Sequence, residues 1–472
     1  MTGLSAQVDL AALVLCVVFL SYVTAILVPY VRRQPSSAAP SGDLSWHFFI
    51  PCLNEDAVIG RSLSRLRADF PEAHVWCIDD ASTDRTGEVL ASLASQDTRI
   101  HVVSRRPPDA QQGKGEALNS AWRHLSAWLA DTSPGLNPET VVVGVLDADG
   151  RLAPDALGIL AGDGGFADPE VGAVQIQVRM LNRGLAETGA DDPAAATRLG
   201  RLLVTLQDLE FRTVIAAMQH LRHRIGSAGM GGNGQFSRLG ALNTIAERAG
   251  TPWHGSLLED FELGLHVLLS GRRNRYCDDT WVAQEGLPGL SALLRQRTRW
   301  AQGGMQCAKY LRQVLVSPHI STPSALEISY FLLVPWTQVL GTIVYLTAAA
   351  VLGTFAFTAP GGLGAWFLDG AWGLIPLVLV FGIAPLAVWA TIYRLRCEPT
   401  MTRRRALLLG LGYWLYTYAM LAAVWRGFYR ILRAQDNWVK TARVLGTAGG
   451  GPVGSHPRMA PVAMGEPSRK AL

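Results

Sequence analysis

Acidic residues gather at the ends of three short apolar runs. Asn54-Glu55 follows HFFIPCL, Asp79-Asp80 closes VWCIDD, and Asp147-Ala148-Asp149 follows VVVGVL. Crowded carboxylates repel one another and need a cation or a charged ligand between them. Asp147 and Asp149 can reach one ion, and an oxygen-only set suits Mg²⁺ or Mn²⁺, either of which would bind a diphosphate. Lys114 lies between two glycines at a predicted helix start, where a cation meets a phosphate. Farther on, Leu258-Glu259-Asp260-Phe261-Glu262 opens an amphipathic pattern that runs to Leu269. Gln296-Arg297-Thr298-Arg299-Trp300 then places two guanidiniums beside an amide and an indole. Arginine grips phosphate oxygens through paired hydrogen bonds, and an indole offers a flat apolar face to a sugar ring. Each cluster alone has an ordinary reading: an acidic turn, a helix start, a surface lysine, a basic helix beside a membrane.

These residues need a scaffold that brings strand ends together. From Trp46 to about Gln302, strand-like runs (HFFIP, VWCIDD, IHVVS, VVVGVLD, GAVQIQV) alternate with helical patterns at Ala57–Ala68, Asp84–Ala94, Glu116–Leu129 and Pro154–Ala161. The alternation predicts βαβ units and a mostly parallel sheet. In such sheets ligands bind beyond the carboxyl ends of the strands, where all three acidic clusters fall. Arg183–Arg201, rich in Ala, Asp and Gly, is expected to be an insertion. The Gly/Pro/Ser-rich Gly446–Leu472 is expected to be disordered.

The remainder of the 472 residues is apolar in blocks. Charged residues are only 17% of the chain, so membrane segments fit better than two or three soluble domains. Four blocks are long enough, since roughly 20 residues cross the hydrocarbon core: Leu10–Val31, Ile328–Phe357, Trp372–Tyr393 and Ala406–Trp425. The first ends at Arg32-Arg33 and lacks a preceding basic region, so it reads as a retained anchor with its start outside and the arginines in the cytoplasm. Basic residues flank the last block on both sides, which puts both flanks in the cytoplasm. One block must then deviate: either Ile328–Phe357, with Pro335 inside it, forms a tight pair, or Ala406–Trp425 re-enters without crossing. The net charge of +4 sits near the apolar blocks and points to membrane flanks rather than nucleic acid. The six scattered cysteines include no CxxC pair, and no histidine stands at metal spacing, so neither a disulfide framework nor a zinc site is expected.

Taken in order, PCLNED, DDASTDRTGEVL, GKGEALN, DAD, VQIQ, GGNGQF, LLEDFEL and QRTRWAQGG resemble glycosyltransferase family 2 over about Phe48–Gly304. The likeness is strongest to its membrane-integrated branch of cellulose, chitin, hyaluronan and poly-N-acetylglucosamine synthases. In that branch spaced aspartates precede a Q(Q/R)xRW motif; here 35 residues lie between Asp260 and Gln296. Leu258 stands where threonine is common, and GGNGQF differs from the Phe-Cys-Gly-type loop.

The resemblance implies an α/β, Rossmann-like GT-A domain with flanking transmembrane helices. It divides the chain into an anchor (10–31), a linker (32–45), a cytosolic catalytic domain (46–304), an interfacial segment (305–326), a transmembrane region (327–426) and a basic cytosolic tail (427–472). It implies that Asn54, Glu55, Asp80, Lys114, Asp147, Gln296, Arg297 and Arg299 hold the nucleotide and diphosphate. Asp149, with Asp147, would hold Mg²⁺ or Mn²⁺, and Asp260 would be the catalytic base. Trp300, Gly232, Asn233, Gln235 and Glu259 would meet the acceptor. The expected activity is inverting, processive transfer of a hexose or N-acetylhexosamine from a UDP-sugar onto a growing β-linked polysaccharide at the cell membrane, coupled to export with export partner proteins. The alternative is addition of a single sugar to a lipid or lipid-linked acceptor.

Overall fold

The computed structural model describes residues 2–40, 43–183, 197–358 and 360–435. The Gly446–Leu472 tail and most of the Arg183–Arg201 segment lie outside them. Eight strands form one sheet: β1 (Ser45–Cys52), β2 (His74–Asp80), β3 (Ile100–Arg105), β4 (Val141–Val145), β5 (Arg151–Leu152), β6 (Val171–Met180), β7 (Gln235–Arg238) and β8 (Arg273–Gln284), in the order β3-β2-β1-β4-β7-β6-β8-β5. β3, β2, β1 and β4 run parallel, as the βαβ alternation predicts, and β7 is antiparallel to both β4 and β6.

Alternation along the strands feeds two cores. Phe48, Ile50, Val75 and Cys77 pack on one face with Ile59, Leu63 and Leu90 from the covering helices. Phe49, Trp76 and Ile78 pack on the other with Leu118 and Leu125. Period-two side chains buried on both faces are what a sheet covered by helices requires. The carboxyl ends of β1, β2 and β4 consequently open on one side, and three non-glycine residues with left-handed backbone cluster there: Asn54, Ala81 and Gln111. Such backbone is costly for a residue with a Cβ and marks functional crevices.

Four helices are long and apolar enough to cross a membrane: Leu10–Val31, Thr322–Thr358, Val378–Arg396 and Arg403–Leu432. Thr322–Thr358 continues through Pro335 as one helix of 37 residues, so the expected tight pair does not form. At 1.5 Å per residue it is about 55 Å long, well beyond the hydrocarbon thickness. Its first turns extend into the catalytic domain, where Ser324, Ala325, Glu327 and Ile328 are buried. Arg403–Leu432 is likewise unbroken. The irregular block is Trp372–Tyr393, interrupted around Pro376, Gly382 and Pro385 by a π segment at Val378–Ile383. Proline removes a helical donor and crowds the preceding turn, which breaks the ladder there.

A buried ion pair links bundle and domain. Glu327 accepts from Arg222 at 2.7 Å, from the Tyr22 hydroxyl of the first helix at 3.1 Å and from Ser227 at 3.1 Å.

Candidate active site

The end of β1 is pinned to the loop after β2. Thr83 N donates to Asn54 Oδ1 at 2.7 Å, and Glu55 N donates to Thr86 Oγ1 at 2.7 Å. Asp80 is buried and accepts from Arg105 and from Gln111 N. Its carboxylate thus fixes the turn after β3 and faces a guanidinium that the sequence reading did not identify.

The centre of the crevice is an alternating set of charges. Lys114 Nζ lies 2.8 Å from Asp147 Oδ1. Burial pulls the Lys114 ammonium down, but Asp147, Glu259 and Asp260 more than reverse this and hold its pKa above the usual lysine value. Burial, opposed by Lys114 and Arg299, raises the Glu259 pKa. Burial and the neighbouring Glu259 push Asp260 up from 3.8 to about 7. Two adjacent carboxylates in a poorly hydrated site cannot both stay ionised as easily as they do in water. Asp149 is 5% exposed and takes Glu285 N at 2.9 Å on Oδ2. The donor set fits a hard cation, because Asp147 and Asp149 offer only oxygen and Asp147 already holds one cation, the Lys114 ammonium.

Gly232 packs tightly against Asp260. Its φ of 77° is left-handed, and a Cβ there would lie 2.7 Å from Asp260 Oδ2 and 3.5 Å from Lys114 Nζ. The rest of the GGNGQF loop, expected at the acceptor, packs inward. Asn233 is 3% exposed, accepts from Asp147 N at 3.1 Å and donates to Gln284 at 2.9 Å, so it positions the Asp147–Asp149 turn. Gln235 is 1% exposed inside β7, where the antiparallel ladder buries it. Gln175 of the VQIQ run clamps the same loop, accepting from Gly231 N at 2.8 Å and donating to Asn233 O at 2.9 Å.

Two positioning residues lie within the sequence motifs: Gln175 of VQIQ and Asn119 of GKGEALN. The fully buried Asn119 exchanges hydrogen bonds with the Trp253 backbone at 2.8 and 3.0 Å. It thereby fixes the loop that leads into Glu259–Leu269.

The QRTRW segment lies on the helix Leu290–Cys307, which approaches the Asp260 loop closely. A Cβ on Gly303 would meet Leu258 N at 2.7 Å, so only glycine permits this contact. The two arginines separate. Arg299 acts on Glu259 and Asp260, lowering both pKa values, whereas Arg297 is buried against Glu210 at 2.5 Å and Tyr416 at 3.3 Å. Arg297, expected at the diphosphate, touches the bundle helix Arg403–Leu432 through Tyr416. Spacing alone misses this, because residues two apart on a helix point in different directions. Trp300 is half-buried, stacked beneath Arg297 at 4.2 Å and edge-on to Phe211 at 6.1 Å. Gln296 is half-buried on the same helix.

The Arg297 contacts yield one prediction. Arg297→Ala leaves the half-buried Glu210 with the Tyr416 hydroxyl as a donor at 3.0 Å and should cost about 1–3 kcal/mol of stability. Folded Arg297→Ala protein should bind UDP like the parent. Thermal unfolding with a UDP titration checks this, and lost UDP affinity at parental stability would return Arg297 to the diphosphate.

Residues 46–303 match the family described as Glycosyltransferase like family 2. A beta-monoglucosyldiacylglycerol synthase of Synechocystis sp. is 31% identical over 322 residues, covering 65% of this chain and 59% of the relative. A poly-beta-1,6-N-acetyl-D-glucosamine synthase of Staphylococcus epidermidis is 23% identical over 290 residues, covering 61% and 59%. The chain thus spans about three-fifths of the length of each of these relatives. A solved mannosyltransferase from Pyrobaculum calidifontis, in complex with GDP-Man and Mn²⁺, shares the fold with a TM-score of 0.56 at 17% identity, covering 91% of this chain and 99% of that one. With its GT-A, Rossmann-like catalytic fold and a family match over more than half its length, the chain belongs to glycosyltransferase family 2.

Proposed function

We propose that this protein transfers one sugar, with inversion, from a UDP-sugar to the hydroxyl of a membrane lipid at the cytoplasmic face of the cell membrane. The carrying observation is the position of the base. Asp260 lies in the first turn of the helix Glu259–Leu269, and its neighbour Phe261 packs, tilted, against Phe331 of the long apolar helix with ring centroids 4.8 Å apart. An acceptor hydroxyl held at the bilayer surface then has a short path to Asp260. The similarity to monoglucosyldiacylglycerol synthases supports the same acceptor class over the growing polysaccharide expected from the motifs.

In this reading Asp260 takes the proton from the acceptor hydroxyl as its oxygen attacks the anomeric carbon. The bond from that carbon to the diphosphate oxygen breaks, and UDP leaves. An aspartate with a pKa near 7 is a stronger base than an ordinary carboxylate, about half ionised at pH 7 and largely ionised above it. Lys114 and Arg299 stabilise the charge that gathers on the departing diphosphate. Asn54 and Glu55 line the uridine end of the crevice, and Asp80 shapes its wall. Asp149 and Asp147 would hold Mg²⁺ or Mn²⁺, which when bound neutralises diphosphate charge. Trp300 and the Gly232 turn bound the acceptor side.

The test is product length. Full-length protein in detergent micelles, given a panel of UDP-sugars and diacylglycerol, should release UDP and form a glycolipid carrying one sugar, read by mass spectrometry. A ladder of oligosaccharides, or polymer formed without lipid, would restore the polysaccharide reading.

A further inference from the structure

A second cluster of metal-ligating groups lies on the same helix as Asp260, outside the set already described. His254, Glu262 and His266 each offer one ligand atom, and the three atoms lie within 4.8 Å of one another. The Tyr310 hydroxyl completes the group, 2.7 Å from Glu262 Oε1 and 3.1 Å from His266 Nε2. His254 Nδ1 is 2.8 Å from His266 Nε2. We infer that His254, His266 and Glu262, with Tyr310 or water as a fourth ligand, form a structural zinc site that clamps the base-bearing helix to the segment after QRTRW.

Four features carry the assignment. The ring of His254 is oriented as a ligand would be: its Nε2 faces Thr251 O at 3.0 Å, which leaves the Nδ1 lone pair directed at the cluster. Metal-binding histidines characteristically donate their second nitrogen to a carbonyl in this way. Glu262 and His266 stand four apart on Glu259–Leu269, so both project from one face of the helix. Glu262 is fully buried and its carboxylate is already held to a cation, with Lys309 Nζ at 2.8 Å. Lys309 is 54% exposed and can swing into water, which frees that oxygen for a metal.

The spacing also suits a small tetrahedral ion. Ligands at 2.0–2.1 Å from zinc stand about 3.3 Å apart, so the present contacts of 2.7–3.1 Å need to open by a few tenths of an ångström, and the widest separation in the His254, Glu262 and His266 set, within 4.8 Å, needs to close. Two imidazoles with one carboxylate favour zinc over Mg²⁺ or Mn²⁺, which prefer oxygen. The ion would fix the loop before Asp260, because Glu262 also accepts from Ser256 N at 2.9 Å.

The full chain in detergent, stripped with chelator and dialysed against Zn²⁺, should retain about one zinc per chain and unfold at a higher temperature than the stripped protein. Replacement by Co²⁺ should give tetrahedral ligand-field absorption, a readout that needs neither a variant nor activity. His254→Ala and His266→Ala should each retain less than about a tenth of the zinc at the same free concentration. Asp149→Ala, which alters the oxygen-only site, should keep it. Absence of retained zinc and of the cobalt bands in the parent overturns the site, as does parental zinc retention in either histidine variant. None of these readouts depends on which sugar or acceptor the enzyme uses.

Discussion

Asp260→Asn is expected to leave a folded protein that binds UDP like the parent and transfers sugar about 10²–10⁴ times more slowly. The substitution keeps size and polarity and removes only the capacity to take a proton. Because burial and Glu259 hold the Asp260 pKa near 7, kcat/KM of the parent should climb as pH rises through about 7 and level off above it. The same shift predicts stability. An acid with a folded pKa near 7 and an unfolded value near 3.8 is penalised in the native state when ionised. That penalty is fully present above pH 7, is relieved as pH falls through 7, and is absent below about 4. Asp260→Asn should therefore raise the unfolding temperature at pH 8 relative to the parent, lose most of this advantage at pH 5 and all of it below about pH 4. A helix-start acid with no catalytic duty would behave differently: its loss would weaken the helix by up to about 1 kcal/mol and spare turnover. Near-parental turnover by folded Asp260→Asn protein would remove the base assignment.

Asp149→Ala should abolish metal-dependent UDP binding and with it turnover. Parent protein should bind UDP more tightly with Mn²⁺ than in excess EDTA, whereas the variant should bind weakly in both. Alanine also strips the acceptor from Glu285 N, which costs about 1–3 kcal/mol by itself. Asp149→Asn separates the two effects, since the amide oxygen still accepts that hydrogen bond while the charge is gone. Parental stability with lost Mn²⁺ dependence is the expected result for Asp149→Asn. Full turnover of the parent in excess EDTA would dismiss the metal site.

The contrast between Arg297 and Arg299 shows where reading by motif stops. The type and order of residues in QRTRW point to a phosphate-and-sugar site. Which arginine turns inward depends on Glu210 and Tyr416, which lie 87 residues before and 119 residues after Arg297. Asn233 and Gln235 turn inward for a related reason. Their loop leads into the antiparallel strand β7, which at four residues is too short to show a period of two. The zinc cluster was illegible because His254 and Tyr310 come from segments that meet Glu262 and His266 only after folding. No spacing rule links residues so separated.

The sequence by itself determined the parallel half of the sheet, the carboxyl-end crevice with Asp147, Asp149 and Asp260, and the apolar blocks. Each is a local property: alternation over one strand, a polar residue at its end, or a run long enough to span hydrocarbon. Tertiary structure alone decided that the base helix packs on the bundle through Phe261 and Phe331, that the block through Pro335 stays a single helix, and that Asp260 shares a poorly hydrated pocket with Glu259 and Lys114. Those outcomes depend on burial and on charges brought together from distant segments, and neither exists until the chain has folded.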